Sequence, residues 1–154
     1  MLPKRVQWTM RYLIALVALA GVAVSALALR VHYSTDVVPC SINDRWDCGI
    51  VNHSPFAEIA HIPVGAIGIA GYLALAGLAL LRRRAITLSA ALAGLAFALY
   101  LSHIERDVLM MWCLYCVISL GIIALVTLLS LGWVAAERMG RRRAPSPAEE
   151  TGAD

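Results

Sequence analysis

Residues 110–134 read MMWCLYCVISLGIIALVTLLSLGWV, a stretch without a single charged side chain. A hydrocarbon core about 30 Å thick takes roughly 20 apolar residues of helix, so this run predicts a membrane span. It opens on a Cys-x-x-Cys motif, Cys113-Leu114-Tyr115-Cys116. Residues three apart share one helical face, so these two sulfurs can meet. A helix start also supplies unpaired N–H groups that favour a thiolate.

Working outward, three more apolar runs of similar length appear, over 12–29, 62–81 and 85–104. The chain has 154 residues, 60% of them hydrophobic and 15% charged, and its mean hydropathy is +0.75. That composition excludes an ordinary soluble domain. The expectation is an all-α integral membrane bundle of four transmembrane helices, with a long extracytoplasmic loop between the first and second. Residues 1–140 form one catalytic membrane domain, and 141–154, with Pro145, Pro147, Glu149 and Glu150, read as a disordered cytoplasmic tail.

Charge sets the orientation. Lys4, Arg5 and Arg11, then Arg82, Arg83 and Arg84, then Arg138, Arg141, Arg142 and Arg143 must share one side, and they are ten of the 13 basic residues. By the positive-inside rule that side is cytoplasmic, with both termini. The other side keeps Arg30, Arg45 and Arg106 with Asp36, Asp44, Asp47, Glu58, Glu105 and Asp107. The basic residues flank apolar runs and form no separate patch, so no nucleic-acid partner is expected. A cleavable secretory signal ending near Ala26-Leu27-Ala28 is the rival reading of the first run. The run is longer than a signal core, and it is read as a retained anchor.

All four cysteines then fall on the outer face, where disulfides persist. Cys40 and Cys48 lie in the first loop, and Cys113 and Cys116 open the last helix. Val117 follows the motif where haem attachment needs His, and C-x7-C does not resemble a zinc knuckle, so no metal is expected. A structural disulfide remains an alternative for Cys40 and Cys48. Two pairs on one face suggest a relay, because thiolates exchange with disulfides through mixed disulfides. A lipid quinone, such as menaquinone, ubiquinone or a relative, fits as acceptor at membrane depth. Trp46 and Trp112 read as interface anchors, and Trp112, next to Cys113, is placed to pack on the quinone. Glu105, Arg106 and Asp107 read as a solvated turn. His53, His61 and His103 read as interfacial, with proton donation to the quinone as the functional alternative. Gly65, Gly68, Gly71 and Gly77 read as a close-packing face of the second helix.

The motifs Cys40-x7-Cys48-x5-Ser54, Ile62-Pro63-Val64-Gly65-x2-Gly68-x3-Tyr72, Tyr100-Leu101-x2-Ile104-Glu105 and Cys113-x2-Cys116 together resemble the vitamin K epoxide reductase family, in its bacterial disulfide-forming branch. The resemblance covers roughly residues 10 to 135. It implies that Cys113 and Cys116 are the active pair, with Cys116 reacting with quinone. It implies that Cys40 meets the partner thiol and that Cys48 attacks Cys113. Ser54 is implied to lie near the quinone, and the segment after Cys48 to form a half-helix over the site, with Phe56, Ile59 and Ile62 as its apolar face. A helix cap is the other reading of Ser54, since Pro55 follows it. Leu120 and Val64 stand where animal members carry a Tyr and an Asn, which argues against epoxide reduction and leaves quinone reduction. The chain ends after its fourth helical run, so the expected partner is a separate extracytoplasmic thioredoxin-fold protein. The rivals are a vitamin K epoxide or quinone reductase, and a membrane scaffold with a static disulfide.

Overall fold

The computed structural model describes residues 4–35, 40 and 42–142. Its frame is four long helices: α1 (Lys4–Tyr33), α3 (Val64–Leu80), α4 (Arg84–Ile104) and α5 (Leu114–Arg142). Between α1 and α3 lie a short helix α2 (Cys48–Asn52), a 3-10 turn (Pro55–Ala57) and a two-stranded hairpin of β1 (Glu58–Ile59) and β2 (Ile62–Pro63). The expected long loop therefore carries structure of its own. The tail expectation, apart from residues 141–142 at the end of α5, falls outside the described residues.

Three helical stretches, Arg5–Tyr33, Arg84–Leu109 and Leu114–Gly140, are long and apolar enough to cross a membrane. α3 is apolar but has 17 residues, a rise of about 25 Å at 1.5 Å per residue. It is shorter than the expected 62–81 because Ile62 and Pro63 pair with Ile59 and Glu58 in the hairpin. The hairpin turns through Ala60 and His61, both left-handed at φ 51° and 65°.

Helix α1 packs on α3 and α5, α4 packs on α5, and α3 and α4 touch only sparingly. The cause is visible in α1, where Ala15, Ala18, Gly21, Ser25 and Ala28 recur at three- and four-residue intervals and are all buried. Lipid offers no hydrophobic drive between helices, so close backbone approach supplies the packing. A Cβ on Gly65 would stand 2.9 Å from the Leu29 backbone nitrogen, and one on Gly68 would stand 2.6 Å from Ser25 Oγ. Gly71 and Gly77 differ: a Cβ there meets nothing within 4 Å. The close-packing face expected of this helix is thus its first two glycines only.

The core of the bundle includes Ile14, Ala18, Tyr72, Leu75, Ala91, Ile123, Val126 and Trp133. Leu16, Leu19, Leu73, Leu92, Leu99 and Leu128 point outward and stay exposed, as suits surfaces solvated by lipid. Several polar groups inside are hydrogen-bonded or paired. Tyr72 donates to the Ser119 carbonyl at 2.8 Å, and Thr127 donates to the Ile123 carbonyl at 2.7 Å. Arg84, at the start of α4, pairs with Glu137 near the end of α5.

Candidate active site

Backbone pairing brings the two cysteine pairs together. The Trp112 N–H donates to the Arg45 carbonyl at 2.8 Å, and the Asp47 N–H donates to the Trp112 carbonyl at 3.1 Å. The loop is thereby laid beside the residue that precedes Cys113. Asp47 Oδ1 caps α2 by accepting from Gly49 and Ile50 N–H at 2.8 and 3.1 Å. Cys48 follows as the first residue of α2. Cys113 stands in the cap position of α5, its carbonyl accepting from Val117 N–H at 3.0 Å.

Cys40, Cys48 and Cys113 share one buried cluster with Val31 and Val51, and Cys116 packs against it. Cys40 and Cys48 form a disulfide with Cα atoms 5.7 Å apart. Cys113 and Cys116 are thiols. The Cys113 thiol, just outside the α5 span, is held below the ordinary thiol range. The main cause is a hydrogen bond from the Cys116 thiol. Burial opposes it, and so does the charge of Glu105. The Cys116 backbone N–H and the Asn52 amide reinforce it.

Glu105 corrects the sequence reading. Arg106 and Asp107 are exposed as expected of a solvated turn, but Glu105 is 3% exposed. α4 passes into a π-helical turn over Glu105–Leu109, and Met110, left-handed at φ 51°, redirects the chain. Glu105 Oε2 accepts the Cys113 N–H at 3.2 Å, and the carboxyl lies beside the Cys116 thiol on the cavity lining. A signal was present. Thr87, Ala91, Gly94, Ala98 and Leu101 mark the inward stripe of α4, and a further helical step reaches 105.

Beside Cys116 lies a cavity of about 350 Å³. Its walls are apolar, from α1 (Val24, Ala28), α3 (Val64, Ile67, Gly71) and α4 (Ala90, Phe97, Leu101). The polar side chains on the lining include Asn52, Ser54, Glu105 and Tyr115. Volume, apolar lining and sparse polar groups match a small-ligand site and fit a quinone ring and the start of its tail. The cavity occupies the seam where α3 and α4 fail to close.

A family model described as the vitamin K epoxide reductase family matches residues 12–131. The chain belongs to the vitamin K epoxide reductase family. The match spans all four long helices and both cysteine pairs. Membership makes the chain a membrane oxidoreductase of quinone-related redox chemistry. No individual curated protein matches the chain.

Within this family member, Ser54, Phe56 and Cys116 line the cavity, with Cys113 directly behind. Ser54 has no side-chain capping bond. Its hydroxyl donates to the Val51 carbonyl at 2.8 Å instead. Ile59 and Ile62 are exposed in the hairpin and do not cover the site. Trp112 lies outside the cavity lining, its ring 6.2 Å from that of Trp46, because backbone pairing fixes it towards the loop. His53 donates to the Gly49 carbonyl, His103 pairs with Asp107, and His61 is exposed in the hairpin turn. None of these three lines the cavity.

Two further residues escape sequence reasoning. Asn52 is buried, and its amide donates to the Cys48 carbonyl at 2.8 Å and to Cys113 Sγ at 3.5 Å. His32 donates to the Asn52 carbonyl at 2.6 Å and faces Glu58 at 3.1 Å. An isolated Asn and His carry no spacing signal.

Proposed function

We propose that the protein is a thiol:quinone oxidoreductase that reoxidises an extracytoplasmic thioredoxin-fold protein and so supports disulfide formation. All four long helices cross the membrane, residues 1–140 act as one catalytic domain, and the arginine-rich ends face the cytoplasm. The observation that carries the reading is the cluster in which the Cys40–Cys48 disulfide packs against Cys113, with Cys116 behind it on an apolar cavity.

The relay follows thiol–disulfide exchange. A partner thiolate attacks Cys40, which releases Cys48. Cys48 attacks Cys113 of an oxidised inner pair, and Cys116 leaves as a thiolate. The partner's second thiol leaves as its own disulfide and frees Cys40. Cys40 then attacks Cys48, closing the loop disulfide again and releasing Cys113. Ser54, Phe56 and Cys116 would hold the quinone, which when bound supplies an acceptor for two electrons and two protons. Asn52 keeps Cys113 turned towards Cys48 and favours its thiolate.

The test uses purified protein in a lipid disc, with a reduced thioredoxin-fold dithiol and a short-chain quinone. Quinol should form, and replacing any of the four cysteines should stop it. With a small dithiol in place of the protein, Cys40→Ala and Cys48→Ala should still turn over. Wild-type rates in Cys116→Ala would refute the reading.

A further inference from the structure

Glu105 is a buried carboxyl that contacts both members of the inner pair and opens onto the cavity. Among the described residues it is the only carboxyl in the cavity lining. Ionisable groups at membrane depth are costly and are kept where they move charge or protons. Among the described residues no basic side chain pairs with it. The contacts described for its side chain are instead the Cys113 N–H at 3.2 Å and the Cys116 thiol. The remaining ionisable groups on the cavity are Tyr72, Tyr115 and Cys116, and the Tyr72 hydroxyl is spent on Ser119. The residue hinges on the π-helical turn, which fixes it against the α5 start through its carbonyl as well, since Met111 N–H donates to Glu105 O at 3.1 Å.

We propose that Glu105 is the proton-transfer residue of the inner pair, taking protons from the thiols and handing them to the oxygens of a quinone in the cavity. Counted from the doubly protonated pair, the Cys113–Cys116 bond forms as two S–H bonds break. Two electrons leave to the quinone. The Cys116 proton passes to the Glu105 carboxylate and on to one ring oxygen. The Cys113 proton follows through the hydrogen bond between the two sulfurs. Glu105 ends as the carboxylate it began as, and quinone becomes quinol. The last leg of this route rests on the function proposed above, whereas proton exchange between Glu105 and Cys116 does not.

The test has two arms on the full chain in lipid discs. The first is an infrared difference spectrum between dithiol-reduced and oxidised protein, without quinone. It should contain a carboxylate-stretch signal, from loss of the Cys116 S–H beside Glu105 when the disulfide forms, absent in Glu105→Gln and retained in Glu105→Asp. The second is quinone reduction. Removing a positioned proton-transfer group costs about 10²- to 10⁴-fold, so Glu105→Gln should lose at least about tenfold in kcat with a flattened pH profile, and Glu105→Asp should recover part of it. A carboxylate signal that persists in Glu105→Gln overturns the proposal, as does wild-type kcat with an unchanged pH profile in that variant. A signal lost in Glu105→Gln from a wild-type protein that reduces no quinone upholds the Glu105–Cys116 exchange and refutes the quinone function alone.

Discussion

The amide of Asn52 donates to Cys113 Sγ at 3.5 Å while the same nitrogen donates to the Cys48 carbonyl at 2.8 Å. One buried side chain thus joins the outer redox pair to the inner one. Hydrogen bonds of this kind favour the thiolate, and the Cys116 thiol contributes the larger share. Removing a donor must therefore raise the pH at which Cys113 ionises. The alkylation midpoint of Cys113 in reduced protein should move up in Asn52→Ala and further up in Cys116→Ala. Peptide mass spectrometry across a pH series measures it, and midpoints equal to wild type would refute the assignment.

The relay makes its own covalent prediction. With a partner that keeps only its first cysteine, its thiolate attacks Cys40 as the Cys40–Cys48 bond breaks, and no second partner thiol resolves the mixed disulfide. A partner complex linked through Cys40 should accumulate and vanish on reduction. Non-reducing gels would reveal it, and a scaffold with a static disulfide would form none.

Gly71 and Gly65 test where ligand space lies. A Cβ at Gly71 is in the open cavity, whereas one at Gly65 meets the Leu29 backbone. Gly71→Phe should leave thermal stability near wild type and raise the quinone KM about tenfold or more, consistent with filling a preformed apolar site. Gly65→Leu should lower stability by about 1–3 kcal/mol through overpacking. Thermal unfolding in detergent together with KM separates the two, and equal behaviour of both variants would place the ligand elsewhere.

Much of this molecule is legible in its sequence. The apolar runs and the arginines that end them announce the helices, because the bilayer permits little else. The cysteine spacing announces the chemistry. What is hidden depends on contacts between distant segments. Asn52 matters only because the loop folds back onto Trp112. Glu105 looks solvated beside Arg106 and Asp107 until the π-helical turn keeps it on the inner stripe of α4. Trp112 looks like a ring for the ligand until its backbone pairs with Arg45 and Asp47.

Tyr72 bridges α3 and α5 through its bonds to Ser119 at 2.8 and 2.9 Å. Tyr72→Phe should cost about 1 kcal/mol, the usual net value of an intramolecular hydrogen bond. Ser119→Ala should cost less, since the tyrosine keeps the backbone carbonyl. Denaturation of the two variants decides this, and a larger loss for Ser119→Ala would show that the hydroxyl pair dominates.

Orientation is open to direct labelling. Arg82→Cys, in a chain lacking its own cysteines, should react with an impermeant maleimide only after the membrane is breached. Asp44→Cys should react in intact cells. The reverse pattern would place the redox pairs in a reducing compartment.

The hydrogen bonds between residues 45–47 and Trp112 are made by main-chain atoms, beside the paired rings of Trp46 and Trp112. The side chain at 45 can therefore vary while the spacing between the two sulfur centres is preserved. Changes in chain length carry no such immunity. One residue inserted between Asp47 and Cys48, or between Trp112 and Cys113, would shift one sulfur out of step with the other and disconnect a circuit whose parts all remained intact.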